Sequence, residues 1–234
     1  MKVEQPTILL FDVDGTLITS GGLGRRAIES TLEARYDGQN GCSFSFAGMT
    51  DRGIVRAALQ TLGREVTEEH IDDVLDDYIA TLRQQVAQLD PASYFAHPGV
   101  AEVLTAVSDV DGVAVGLGTG NVEQGARIKL EPVGLNHYFR FGGYGCDAEP
   151  RAELIAAGAR RGAAELGVPT ERCRVVIIGD TLRDVAAAHA IGGECLAVAT
   201  GGDTAQALAE SDAELVVADL TAAAVVPFLL GHMY

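Results

Sequence analysis

The chain of 234 residues has no tryptophan, and aromatic residues make up only 6% of it. A base-stacking platform for single-stranded nucleic acid is not expected, because such surfaces are built from aromatic rings. Positive charge is also scarce. Lys and Arg number 17 against 33 Asp and Glu, giving a formal charge of −16 and a pI near 4.6. Just two of the cations are lysines, Lys2 and Lys129. Neutralising a phosphate backbone takes clustered basic residues, so nucleic acid is not an expected partner. The four cysteines, Cys42, Cys146, Cys173 and Cys195, form no CxxC pair. That excludes a zinc knuckle or thioredoxin-like motif and reads as buried or incidental thiols in a reducing compartment. No window approaches 18 uninterrupted apolar residues, so no membrane span is expected. The opening MKVEQPTILLFDVDG lacks the basic start, longer apolar stretch and cleavage site of a signal peptide. A cytoplasmic protein is the expectation.

A hydrophobic fraction of 47% with 21% charged residues is ordinary for a soluble globular chain. At about 100–200 residues per domain, the length allows one large domain or a main domain with an insert. Short apolar runs at Thr7–Phe11, Val113–Leu117, Phe139–Tyr144, Arg174–Ile178, Cys195–Ala199 and Glu214–Val217 end in Gly, Asp or Thr. From the second onward, helical patterns mostly separate them. This alternation predicts an α/β fold with a doubly wound parallel sheet. Between Leu17 and Phe95 the pattern is helical, with no convincing strand. Ile71, Val74, Leu75, Tyr78, Ile79, Leu82, Val86 and Leu89 recur at helical spacing, and Thr67 marks a start. Ile54, Val55, Ala58, Leu59 and Leu62 form a second stripe closed by Gly63, and Leu23, Ala27, Ile28 and Leu32 a third. Such helices either cover a sheet face or form an inserted domain. A near-80-residue block with its own apolar stripes favours an insert over residues 18–95, within a core of 1–17 and 96–234.

Chemistry concentrates where strands are predicted to end. The first run leads into Asp12-Val13-Asp14-Gly15-Thr16. Two carboxylates two residues apart repel unless a cation or proton intervenes, and a hard divalent ion such as Mg²⁺ suits them. The second leads into Gly118-Thr119-Gly120-Asn121 before a helix, where a hydroxyl and free N–H groups make an anion site; Asn121 is also expected to cap that helix. The fourth leads into Gly179-Asp180-Thr181-Leu182-Arg183-Asp184. Singly, each is explained by a solvated turn or a helix cap. Together, at three strand ends, they point to a site.

This ordered combination resembles the haloacid dehalogenase-like hydrolase superfamily, nearest to its phosphoglycolate phosphatase-like members with a helical cap after the first motif. The resemblance covers the whole chain. It implies a Rossmann-like core and a Mg²⁺-dependent phosphatase of a small phosphorylated metabolite. Asp12 would be the nucleophile and Asp14 the general acid and base. Thr119 and the Gly120 backbone would hold phosphoryl oxygens, with Asn121 in the same turn. Mg²⁺ would bind Asp12, the Asp14 carbonyl and Asp180, with Asp184 in support. The dehalogenases of the superfamily lack the second Asp, so Asp14 argues for phosphoryl transfer. The family usually places a Lys in its third motif; here the position falls on Arg151. Lys129 is the rival, although a surface or structural role suits it better. Arg25 and Arg52 lie in the segments that related proteins use for substrate. A phosphomutase on the same scaffold, a receiver-like protein and a non-catalytic scaffold are the alternatives. The oligomeric state is not readable.

Overall fold

The computed structural model describes residues 2–89 and 91–232. Its elements run β1 (Lys2–Phe11), β2 (Ile18–Thr19), α1 (Leu23–Arg35), α2 (Asp51–Thr61), α3 (Glu68–Val86), β3 (Phe95–Ala96) and α4 (Val100–Ser108). They continue through β4 (Asp111–Gly118), α5 (Glu123–Leu130), β5 (Gly142–Gly143), α6 (Arg151–Leu166), β6 (Arg174–Gly179) and α7 (Leu182–Ala190). The last are β7 (Glu194–Val198), α8 (Ala205–Ala209), β8 (Leu215–Val217) and α9 (Val225–Leu229). No helix among the described residues is long and apolar enough to cross a membrane.

Six strands form one sheet in the order β5-β4-β1-β6-β7-β8, with every neighbour parallel. The sheet is buried on both sides, and strict alternation divides its side chains between two apolar clusters. Leu9, Phe11, Val176, Ile178, Leu196 and Val198 face one. Ile8, Leu10, Val175, Ile177, Cys195 and Ala197 face the other, against α6 and α7. That is the period of two expected of pleated backbone. The chain leaves β1 for β4 and β5 on one side and returns to β6 on the other. Connections from the two neighbours of β1 therefore diverge at its carboxyl end and leave a crevice there.

The helical reading of the segment after β1 holds, with one addition. Thr67 caps α3 by accepting the His70 N–H at 3.1 Å, and α2 ends at Leu62 just before Gly63. Asp72, Asp73, Asp76 and Asp77 lie on the exposed face of α3. The absence of any strand there is corrected. Ile18 pairs with Ala96 and Thr19 with Phe95 in a short antiparallel ribbon where the segment leaves and rejoins the sheet. Two residues per strand are too few to give a period-two pattern, so the sequence gives no sign of them. Similarly, only Gly142 and Gly143 of the Phe139–Tyr144 run join the ladder.

That glycine pair has a physical reason. A Cβ on Gly143 would lie 1.9 Å from the Leu154 carbonyl oxygen and 2.9 Å from the Gly158 N. β5 thus sits directly against α6, the helix that begins with Arg151. Gly143→Ala is expected to lower unfolding free energy by about 1–3 kcal/mol, because backbone rather than a flexible side chain must yield. Urea denaturation of the two proteins checks this.

Candidate active site

The first strand delivers Asp12 to the crevice. The Asp12 N–H donates to the Ile178 carbonyl at 2.9 Å, extending the β1–β6 ladder by one residue. β6 delivers Asp180 alongside, and the first turn of α7 adds Asp184. Carboxylate oxygens of Asp12, Asp180 and Asp184 all lie within 4.8 Å of one another, and the three residues are buried. Arg151 closes the group. Its side chain is 8% exposed, and its Nη2 lies 2.7 Å from Asp12 Oδ2 and 2.6 Å from Asp184 Oδ1. Its Nε donates to the same Asp184 oxygen at 2.8 Å. Asp184 Oδ2 accepts the Thr181 N–H at 3.0 Å and its hydroxyl at 2.7 Å. Both Asp184 oxygens are therefore fully engaged, and this carboxylate orients Arg151.

Asp12 and Asp180 are less completely engaged. Asp12 Oδ1 accepts the Val13 N–H at 2.8 Å. Asp180 accepts the Thr16 hydroxyl at 3.1 Å and the Gly202 N–H. Burial pushes the Asp12 carboxyl up; Arg151 opposes this and Asp184 adds to it. Asp180 is pushed up to about 8 by burial and then by the charges of Asp12 and Asp184. Burial works against the Arg151 charge, but its two carboxylates outweigh it and raise its pKa further. Three carboxylates against one guanidinium leave an excess of buried negative charge with oxygen lone pairs to spare. These residues fit a hard divalent cation, which takes oxygen donors and would relieve the repulsion.

Asp14 points to a different partner. Its Oδ2 accepts Lys129 Nζ at 2.7 Å and Asn121 Nδ2 at 3.0 Å, and its Oδ1 accepts the Ser20 hydroxyl at 3.0 Å. Burial alone would raise this carboxyl; the charge and hydrogen bond of Lys129 outweigh it and hold it below the usual carboxylate range. The side chain keeps 39% of its surface accessible. It borders a cavity of about 390 Å³ between the strand ends and the helical segment. Asp12, Thr119, Gly120, Asn121, Arg151 and Asp180 border the same cavity.

Several sequence expectations change here. Lys129, read as a surface or structural lysine, is 4% exposed on its side chain and ion-paired to Asp14. A signal was present: with Val122 and Ala126 it falls at i, i+4 and i+7 on the buried face of α5. Asn121 does not cap α5, whose N-cap is Val122. Its amide instead donates to Thr119 Oγ1 at 2.8 Å and accepts from Lys129 at 2.6 Å. Arg25 borders the cavity, but its guanidinium is a brace. It bonds Glu29 at 2.7 Å and the Cys42 and Phe44 carbonyls, and lies 4.0 Å over the Phe46 ring. Arg52 is not brought to the cavity. The acids at the start of α3 are nearer, and it pairs with Glu68 and Asp72.

Asp51 is a site residue that the sequence did not single out. At the start of α2, its N–H donates to the Gly120 carbonyl at 2.8 Å and its Oδ2 accepts the Val122 N–H at 2.9 Å. Two bonds thus tie the helical segment to the turn after β4. Burial, opposed by Lys129, pushes its carboxyl up to about 6. The folded protein holds this proton at a pH where the unfolded chain has released it. The Asp51 contribution to stability is therefore lost as pH rises from the ordinary carboxylate range to about 6 and is flat above. Asp51→Asn keeps an acceptor and removes the titration. Its stability relative to wild type is expected to rise by roughly 1–3 kcal/mol between pH 4.5 and 7. Urea melts at the two pH values measure the difference.

Comparison with known proteins agrees with this architecture. The haloacid dehalogenase-like hydrolase family model matches residues 6–192. A phosphoglycolate phosphatase of Pseudomonas fluorescens is 25% identical over 217 residues, covering 93% of this chain and 78% of that protein. Among solved structures, a hydrolase from Pseudomonas syringae superposes with a TM-score of 0.67 at 20% identity, covering 96% of both chains. A β-phosphoglucomutase from Clostridium difficile gives 0.70 at 15% identity, covering 97% of both. The latter two establish likeness of fold. With four-fifths of its length matched by the family model and its acidic motifs gathered at three strand ends, the chain belongs to the haloacid dehalogenase-like hydrolases.

Proposed function

We propose that the protein is a Mg²⁺-dependent phosphatase of a small phosphorylated metabolite, acting in the cytoplasm through an aspartyl-phosphate on Asp12. The observation that carries this reading is the separation of two carboxylates two residues apart. Asp12 is paired to Arg151 beside Asp180, whereas Asp14 is paired to Lys129, and both border one cavity. One carboxylate is thereby set up to attack and the other to move protons. The relatives named phosphoglycolate phosphatase support a phosphomonoester as substrate.

Asp12 and Asp180 would hold the cation, with the Asp14 carbonyl, while Asp184 keeps Arg151 in place. Bound there, the ion would neutralise charge on the transferring phosphoryl group. The Thr119 hydroxyl and the Gly120 N–H would donate to phosphoryl oxygens beside Arg151, whose fork matches their geometry. An Asp12 oxygen attacks phosphorus as the bond to the leaving oxygen breaks, and Asp14 protonates that oxygen. Lys129 keeps Asp14 ionised at rest; the arriving negative phosphoryl group would raise its proton affinity, and Asp14 would take up from solvent, as substrate binds, the proton it then delivers. Having given up that proton, Asp14 takes one from a water molecule. The water attacks phosphorus, releasing phosphate and restoring Asp12.

Residues 18–95 would act as a cap, with the β2–β3 ribbon as its hinge and Asp51 fastening it over the cavity. Closure would exclude bulk water during attack, and opening would release product.

Phosphate release should be measured on a panel of phosphoglycolate, sugar phosphates, nucleotides and an aryl phosphate. Turnover is expected with Mg²⁺, to vanish with chelator and return on Mg²⁺ addition. Asp12→Asn is expected to lower it by at least about 10³-fold. Isomerised product without free phosphate would indicate a mutase instead.

A further inference from the structure

The Asp14 carboxylate is gripped from one side. Lys129 Nζ donates to Asp14 Oδ2 at 2.7 Å and to Asn121 Oδ1 at 2.6 Å, and Asn121 Nδ2 donates to the same Asp14 oxygen at 3.0 Å. The three side chains close a ring. This fixes the Asn121 amide, whose third bond runs to Thr119. Two donors on Oδ2 occupy both of its lone pairs. Oδ1 carries a single donor, Ser20, and is the oxygen with capacity left for a further partner.

The lysine is held at its backbone and packed at its head. The Lys129 backbone carbonyl accepts the Tyr94 hydroxyl. On its other side α1 contributes Gly24, where a Cβ would lie 2.8 Å from Nζ. A side chain at that position would displace the lysine. The Tyr78 hydroxyl lies near the same point and has no hydrogen-bond partner among the described residues. Desolvating an ammonium this fully is costly unless its charge is matched, and the match here is Asp14.

We propose that Lys129 is a positioning residue for Asp14: with Asn121 it fixes Oδ2 and leaves Oδ1 as the edge that meets the leaving-group oxygen. The proposal rests on the reading of Asp14 as the acid and base of the reaction. In the first step the proton on Oδ1 passes to the bridging oxygen as its bond to phosphorus breaks and the Asp12–phosphorus bond forms. Without Lys129 the carboxylate is held by Asn121 and Ser20 alone, and proton delivery loses its geometry, while Arg151 and the Gly120 backbone, which Lys129 does not bond, stay in place.

The test uses leaving groups that differ in their need for a proton. Nitrophenolate departs without one, whereas an alkoxide requires it. The quantity is kcat/KM, which reports the steps up to the first irreversible one and excludes the later water attack. In Lys129→Met, kcat/KM for the best alkyl phosphate of the wild type is expected to fall by about 100-fold, and for 4-nitrophenyl phosphate by less than about 3-fold. Because Lys129→Met leaves the half-buried Asp14 without its charge partner and so weakens folding, the Asp14→Asn background provides a second measurement with neither charge present. There, adding Lys129→Met is expected to leave kcat/KM for the alkyl ester unchanged. Equal losses on both esters, or a further loss in the Asp14→Asn background, would overturn the positioning role while wild-type turnover and its loss in Asp12→Asn kept the phosphatase reading. A wild type inert toward both esters would overturn that reading, and this proposal with it.

Discussion

The Arg151 guanidinium, set between Asp12 and Asp184, is the contact on which the site depends. It joins the end of the first strand to the first turn of α7 through the start of α6. Burying a guanidinium among carboxylates is tolerable only when its charge is matched, and here two acids engage its Nε and Nη2. Asp184 is held in turn by Thr181, so the chain of contacts ends in backbone. An arginine suits this place because a planar fork can serve two carboxylates at once, where an ammonium would act as a point charge. Removing either acid would leave Arg151 held from one side only.

Charge is divided, not merely collected. One centre holds three carboxylates and one arginine, an imbalance that a divalent cation would correct. The second pairs one carboxylate with one lysine and is balanced. Their electrostatics pull the two motif carboxylates apart: burial raises Asp12, and Lys129 lowers Asp14. Two chemically identical side chains two residues apart thereby sit in opposite electrostatic settings. The helical segment contributes to this separation, since Gly24 makes room for the lysine and Asp51 fastens α2 to the turn beside it.

Much of this was legible in the sequence. The β-branched run Val175–Ile178 is a doubly buried strand, and the apolar stripe from Ile71 to Leu82 lies on the buried face of α3. Both follow from local periodicity, which needs no knowledge of the rest of the chain. The motif residues Asp12, Asp14, Thr119 and Asp180 were placed because strands deliver their last residues to one edge of a parallel sheet. The two-residue ribbon was invisible because pairing over so short a length is set by the partner strand, not by its own pattern.

The sequence determined on its own which residues stand at the strand ends and which faces are apolar, because those depend on spacing along one element. Tertiary structure alone decided what each charge meets. It turned Arg52 toward Glu68 and Asp72, set Arg25 on carbonyls and the Phe46 ring, and drew Lys129 from the last turn of a helix onto Asp14. A long flexible side chain can reach many places from one backbone position. Which of them it takes is fixed by the charges that other elements bring within a few ångströms.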